Sequence, residues 1–192
     1  DGLVHGDLGR SFFTNKSVMD QLVKRIPISL KLASFSMILT IVFGVGFGVL
    51  MAVKRDRLLD HVLGTFSTVA LSVPGFWIAI VLIFLFAEQW KLLPSSGISG
   101  GSGFILPAVT LALPSIGVCA RLTRSAILDE IGRQYMTVAD AKGMSRRHAV
   151  ICHAFGNALI PIITYLGNHM AGIIGGASIV ETIFAIPGIG SY

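Results

Sequence analysis

Four stretches of this chain run without a charged residue for longer than a globular core can use. Residues 32–53, 62–87, 104–120 and 154–180 hold 22, 26, 17 and 27 residues with no Asp, Glu, Lys or Arg among them. A helix rises about 1.5 Å per residue, so roughly 20 such residues cross the hydrocarbon layer of a bilayer. Composition points the same way: 53% of the 192 residues are hydrophobic and 13% charged, about half the charge of an ordinary soluble domain. A soluble enzyme of this make-up would need too large a core, so most of the apolar residues are expected to face lipid. The expected fold class is all-α, a multi-spanning transmembrane helical bundle with four spans at about 27–53, 62–87, 104–125 and 154–183. The third is carried past Arg121 and Arg124 on the expectation that both side chains snorkel to the headgroups.

The basic residues assign sides. Lys54, Arg55 and Arg57 lie in the first connection, and Arg121, Arg124, Arg133, Lys142, Arg146 and Arg147 between the third and fourth runs, against Lys91 alone in between. The positive-inside rule puts both basic connections in the cytoplasm and the glycine- and serine-rich SSGISGGSG (95–103) outside. Residues 1–26 are then an external segment, in tension with their Arg10, Lys16, Lys24 and Arg25; a further span ahead of Asp1 would remove it. The chain opens without Met and stops at Tyr192 directly after an apolar segment, so both ends read as cuts in a longer protein. Loops account for the formal charge of +5, and no nucleic-acid partner is expected.

Little here suggests catalysis. Cys119 and Cys152 form no CxxC and no ligand cluster. There is no HExxH, and His148 and His153, five apart, stand about 140° apart around a helix. No GxxxxGK[ST] loop cradles phosphates, and Gly44, Gly46 and Gly48 fall inside an apolar run with no strand before them. Ser178 has no base placed for it, which argues against an intramembrane serine protease. Pro74, Pro107, Pro114 and Pro161 kink helices that either line a path or pack better for it. The spacings Gly44/Gly48 and Gly172/Gly176 allow close helix approach. His169, followed by Met170, is the one group within these runs that titrates near neutral pH, and such a group by default faces a cavity or partner. It is either a transient contact for a borderline metal or a neutral imidazole hydrogen-bonded between helices. Glu181, at the outer end of the fourth span, reads as interfacial and structural.

Residues 121–153 are too long and too patterned for a tether. Tyr135, Val138, Ala139 and Lys142 follow i, i+3, i+4, i+7 and give a short helix with a small, mostly apolar face. Gly143 ends it in the left-handed conformation, and Ser145 caps a new helix that runs into the fourth span. From physics alone this is equally a docking element or a basic loop.

Resemblance separates the two. TVADAKG (137–143), with His153, Asn157 and Pro161 behind it, resembles the EAA loop of ABC importer permeases, in the dipeptide, oligopeptide and nickel branch. HGDLGRSF (5–12), RIPISLKLA (25–33) and GGASIVETIFAIPGIG (175–190) are similar to further motifs of that branch, in order and over essentially the whole chain. The match departs from the general pattern at Thr137 and Val138, where the loop begins Glu-Ala, and at Gly156, where it has proline. Cys152 stands where the branch often has arginine.

The resemblance implies a type I importer permease without its first and last spans. Residues 27–192 would be the membrane domain and residues 133–150 its cytoplasmic coupling segment. Thr137, Val138, Ala139, Ala141, Lys142, Gly143, Met144, Arg146 and Arg147 would couple to the ATPase. The implied partners are a second permease in a heterodimer, two ATPases that carry ATP and Mg, an external solute-binding protein and the bilayer of a bacterial or archaeal plasma membrane. The chain itself would be no enzyme and hold no cofactor. Nucleotide-driven closure would move the coupling segment as a lever and alternate access. Peptides and nickel or its chelates are both implied as solutes, and His169 matches a histidine of the nickel permeases, which puts His169 and Met170 on the substrate path. An ATP-independent channel or secondary transporter, or a membrane scaffold, is the alternative. Gly143→Asp is expected to spare membrane insertion and weaken ATPase association, because a carboxylate and Cβ would crowd a tight turn.

Overall fold

The computed structural model describes residues 8–11, 15–98, 101–136, 143–145, 148 and 150–191. Helix α1 (Val18–Leu39) starts at Ser17, whose hydroxyl accepts the Asp20 N–H at 3.4 Å, with the Asp20 carboxylate at the positive end of the helix dipole. Helical structure thus begins ahead of the expected span, with Pro27 inside it. A wide π turn (Thr40–Val45) leads without a break into α2 (Gly46–Val53). The whole runs 36 residues, Val18–Val53, or about 54 Å, well beyond one hydrocarbon thickness.

Helix α3 (Leu58–Ser72) and α4 (Gly75–Leu82), the latter prolonged by a second π turn (Ile83–Gln89), occupy the second apolar run. Between them Val73 (ψ 126°) and Pro74 (ψ 139°) are both extended, as expected where a proline ring disfavours helix at the residue before it. Leu58–Ser72 and Gly75–Gln89 therefore meet at 105°, an elbow and not the kink that Pro74 suggested. A short 3₁₀ turn (Gly101–Phe104) opens α5 (Ile105–Ile131), and a third π turn (Val150–Ala154) opens α6 (Phe155–Ile183).

Helix α5 is the axis of the bundle and packs against α1, α2, α3, α4 and α6. Small side chains on its buried face permit this, among them Ala108, Ala112, Cys119 and Ala120. Gly44 and Gly48 meet that face: a Cβ on Gly44 would stand 2.6 Å from the Cys119 Cβ, and one on Gly48 would overlap Thr123. Helices surrounded by lipid gain little hydrophobic drive from pairing, so such close backbone contact holds them together. Two cores result, one around Ala52, Ile127, Met136, Val150 and Ile162 and one around Leu32, Leu106, Val180, Phe184 and Ile186. The outside stays apolar, with Val42, Ile160 and Ile179 more than half exposed, the pattern of a lipid-facing surface. Val18–Val53 and Gly101–Ile131 are each long and apolar enough to cross a membrane. The α3–α4 pair qualifies if taken as one span, as does the pair Phe155–Ile173 and Ala177–Ile183, bent by 49°. Among the described residues there is no strand, only an isolated bridge between Arg10 and Ser17.

Candidate functional site

Helix α5 outruns the third expected span and reaches Ile131. Arg124 does not snorkel. Its Nε and Nη2 donate to Oδ1 and Oδ2 of Asp60, both at 2.7 Å, and the Asp56 N–H adds a bond to Oδ2 at 3.0 Å. The Asp60 side chain is 5% exposed and that of Arg124 30%. This two-pronged geometry suits a guanidinium better than a lone charge and offsets the cost of taking the carboxylate out of water. Sequence reasoning passed over Asp60; the signal was a single acid just inside the first turn of α3, three residues after Arg57.

Past the end of α5, Tyr135 joins both sides of the turn. Its hydroxyl donates to Glu130 Oε2 at 2.8 Å and accepts from Asn157 Nδ2 of α6 at 3.2 Å, while Arg133 pairs with Glu130 Oε1 at 3.0 Å. Partial burial, opposed by the Asn157 amide, holds the Tyr135 phenol above its ordinary range, so at neutral pH it is a donor. Gly143 lies at φ +75°, and Ser145 Oγ accepts the His148 N–H at 3.4 Å. The left-handed glycine and the serine bond expected there are both present, while the helix expected ahead of Gly143 lies, over 137–142, outside the described residues. Among the described residues a Cβ on Gly143 would meet nothing within 4 Å, and the left-handed backbone is the constraint that they show. Met144 is half-buried. Thr137, Val138, Ala139, Ala141, Lys142, Arg146 and Arg147 lie outside the described residues, as do the side chains of Cys152 and His153.

His169 sits between α5 and α6. Its Nε2 is 2.6 Å from Ser115 Oγ, and its ring stacks on Tyr165 at a centroid distance of 5.3 Å and 8° between planes. The Tyr165 hydroxyl reaches the Ser115 carbonyl at 3.5 Å. The imidazole thus bridges two helices, and Met170 beside it is half-buried. Among the described residues no group of three His, Cys, Asp or Glu is placed to hold a metal ion.

At the opposite end Glu181 is fully buried. It accepts from Ser29 Oγ at 2.5 Å and from the Gly190 N–H at 2.8 Å; Ser29 Oγ accepts in turn from the Ile189 N–H at 2.9 Å. Arg25 donates to the Gly188 carbonyl at 3.1 Å, and Ser178 to the Gly190 carbonyl at 2.6 Å, which engages the Ser178 hydroxyl in a structural bond. A Cβ on Gly188 would overlap the Glu181 carboxylate. Two motifs distant in sequence, RIPISLKLA and GGASIVETIFAIPGIG, are therefore one site, in which the segment after α6 folds back over a buried acid and is tied to α1. Sequence reasoning read each motif separately and missed their contact.

Residues 44–192 match the family described as binding-protein-dependent transport system inner membrane component. The probable D,D-dipeptide transport system permease DdpB of Escherichia coli K12 is 35% identical, over 99% of this chain and 64% of its own length. The probable peptide ABC transporter permease y4tP of Sinorhizobium fredii NGR234 is 40% identical, over 98% and 63%. The oligopeptide transport system permease OppB of Salmonella typhimurium is 35% identical, over 98% and 62%. The chain spans less than two thirds of the length of each of these relatives. An inward-facing structure of the MetNI methionine ABC transporter superposes with a TM-score of 0.74 at 19% identity, over 90% of this chain and 78% of that one. An amino acid ABC transporter gives 0.71 at 19%, over 90% and 76%. These two share the fold, and the sequence relatives are transport permeases, not enzymes. The chain belongs to the binding-protein-dependent transport system inner membrane components.

Proposed function

We propose that this chain is the larger part of a permease subunit in an ATP-driven, binding-protein-dependent importer of peptides. The observation that carries the reading is its 35–40% identity, over nearly all its length, to permeases named for peptide transport. In this reading residues 133–150 are the coupling segment, and Thr137, Val138, Ala139, Ala141, Lys142, Gly143, Met144, Arg146 and Arg147 meet a partner ATPase that binds ATP with Mg. Met136 and Val150 pack into the core that holds Ala52 of α2, Ile127 of α5 and Ile162 of α6, and Tyr135 is bonded to Asn157. A push on the segment would then move three helices as one body, a rigid-body route to alternating access.

The subunit would cross the inner membrane of a bacterium or archaeon with four spans from this chain, residues 95–103 outside and residues 54–57 and 133–150 inside. A second permease would complete the pore, and an external solute-binding protein would deliver to it. His169 and Met170 would lie beside the path. Peptide is favoured over nickel because the imidazole is engaged by Ser115 and Tyr165, and a metal would have to displace that bond and recruit further ligands. The test is uptake of labelled dipeptide and labelled nickel by vesicles holding the full importer complex, with and without ATP. ATP-dependent dipeptide uptake is the expected result. Uptake indifferent to ATP would give the channel reading, and nickel uptake alone would make His169 a metal contact.

A further inference from the structure

A cleft of about 530 Å³ opens between α3 and α5 and is floored by Met51 of α2. Arg121, His61 and Thr65 face it, and all three are exposed. Arg124 also lines it, but its guanidinium is engaged by both oxygens of Asp60. The nearest acid is thereby neutralised, and among the described residues Arg121 has no ion-pair or hydrogen-bond partner. Lys54 and Arg57 stand exposed in the adjoining turn, which adds to the positive potential.

The cleft changes character along α3. His61 and Thr65 mark its polar end, and Val69, one turn beyond Thr65 and more than half exposed, gives the other end an apolar wall beside Thr68. Leu58 and Val62 on the same helix are 80% and 56% exposed, so an apolar surface continues outward from the cleft. A free guanidinium and hydroxyls beside an apolar wall match a phosphodiester that carries acyl chains, since arginine grips phosphate through paired N–H groups while the chains need hydrocarbon contact. A free phosphate would leave the wall unused.

We propose that this cleft binds the phosphate headgroup of an anionic phospholipid of the cytoplasmic leaflet, with Arg121 as the phosphate ligand and Thr65 beside it. The leaflet rests on the orientation proposed above; the site rests on the cleft. The test is native mass spectrometry of the purified full-length importer complex, given phosphatidylglycerol or phosphatidylcholine of matched chains, a readout that failure of transport does not touch. Retained phosphatidylglycerol should exceed phosphatidylcholine, and Arg121→Gln should lower its occupancy about fivefold, the factor for one basic side chain at an anionic surface. Thr65→Leu, which fills the cleft without changing charge, should lower it too, and Lys91→Gln, on the far connection, should not. Equal retention of the two lipids, or unchanged occupancy in both cleft variants, would overturn the proposal. So would displacement by glycerol phosphate at the same concentration, which means a soluble-anion site. A disulfide-length crosslink from Thr65→Cys to another subunit would overturn it as well, since protein would then cover the cleft.

Discussion

Both oxygens of Asp60 are taken by Arg124, and one also by the Asp56 N–H, so loss of the carboxylate strands a half-buried guanidinium. Asp60→Asn is expected to lower stability by about 2 kcal/mol, and with Arg124→Gln added the total should fall short of the sum of the single changes. Thermal unfolding of the full-length protein in detergent measures this; full additivity would mean that the pair contributes nothing. Glu181→Ala removes the acceptor for Ser29 and for the Gly190 N–H and should cost roughly 1–3 kcal/mol. The loss is local, so limited proteolysis should cut within residues 186–191 of the variant and spare the wild type. Glu181 read as structural from the sequence, but the partners of neither carboxylate were legible there. A carboxylate is read from its neighbours in the chain, and the side-chain partners here, Arg124 and Ser29, are 64 and 152 residues away.

The turn at Gly143 is where local chemistry predicted local structure. Glycine at a helix stop and serine two residues on define a left-handed residue and a cap, and neither needs a tertiary partner. Its φ of +75° makes Gly143→Val a sharper test than the aspartate variant, because a β-branched side chain is strained there by about 1–2 kcal/mol whereas Asn and Asp enter this region more readily. Gly143→Val should insert normally but recover less ATPase on co-purification, and Gly143→Asn should recover nearly as much as wild type. Equal recovery with valine would sever the turn from docking. Pro74 went the other way: a proline inside an apolar run is compatible with a modest kink or a sharp elbow. The 105° between its flanking helices follows from two consecutive extended residues, which the proline alone does not specify.

For the whole molecule the elbow sharpens the question of topology. If the α3–α4 pair crosses the membrane, Arg55 and Ser96 lie on opposite sides; if it turns back, they lie on the same side. A membrane-impermeant thiol reagent applied to intact cells should label a cysteine at Ser96 and reach one at Arg55 only after permeabilisation, in a full-length protein with Cys119 and Cys152 replaced. Labelling of both from outside would make the pair re-entrant. The apolar runs, the basic connections and the Gly143 turn belong to the sequence by itself, because each rests on what a residue or its near neighbours require of solvent and backbone. The class of fold was readable for that reason. Which helix serves as axis, that Arg124 turns inward to Asp60, and that residues 186–191 fold over Glu181 onto Ser29 and Arg25 were decided by tertiary structure. Small faces let α5 accept five helices at once, and buried charges take whatever partners that packing brings within reach.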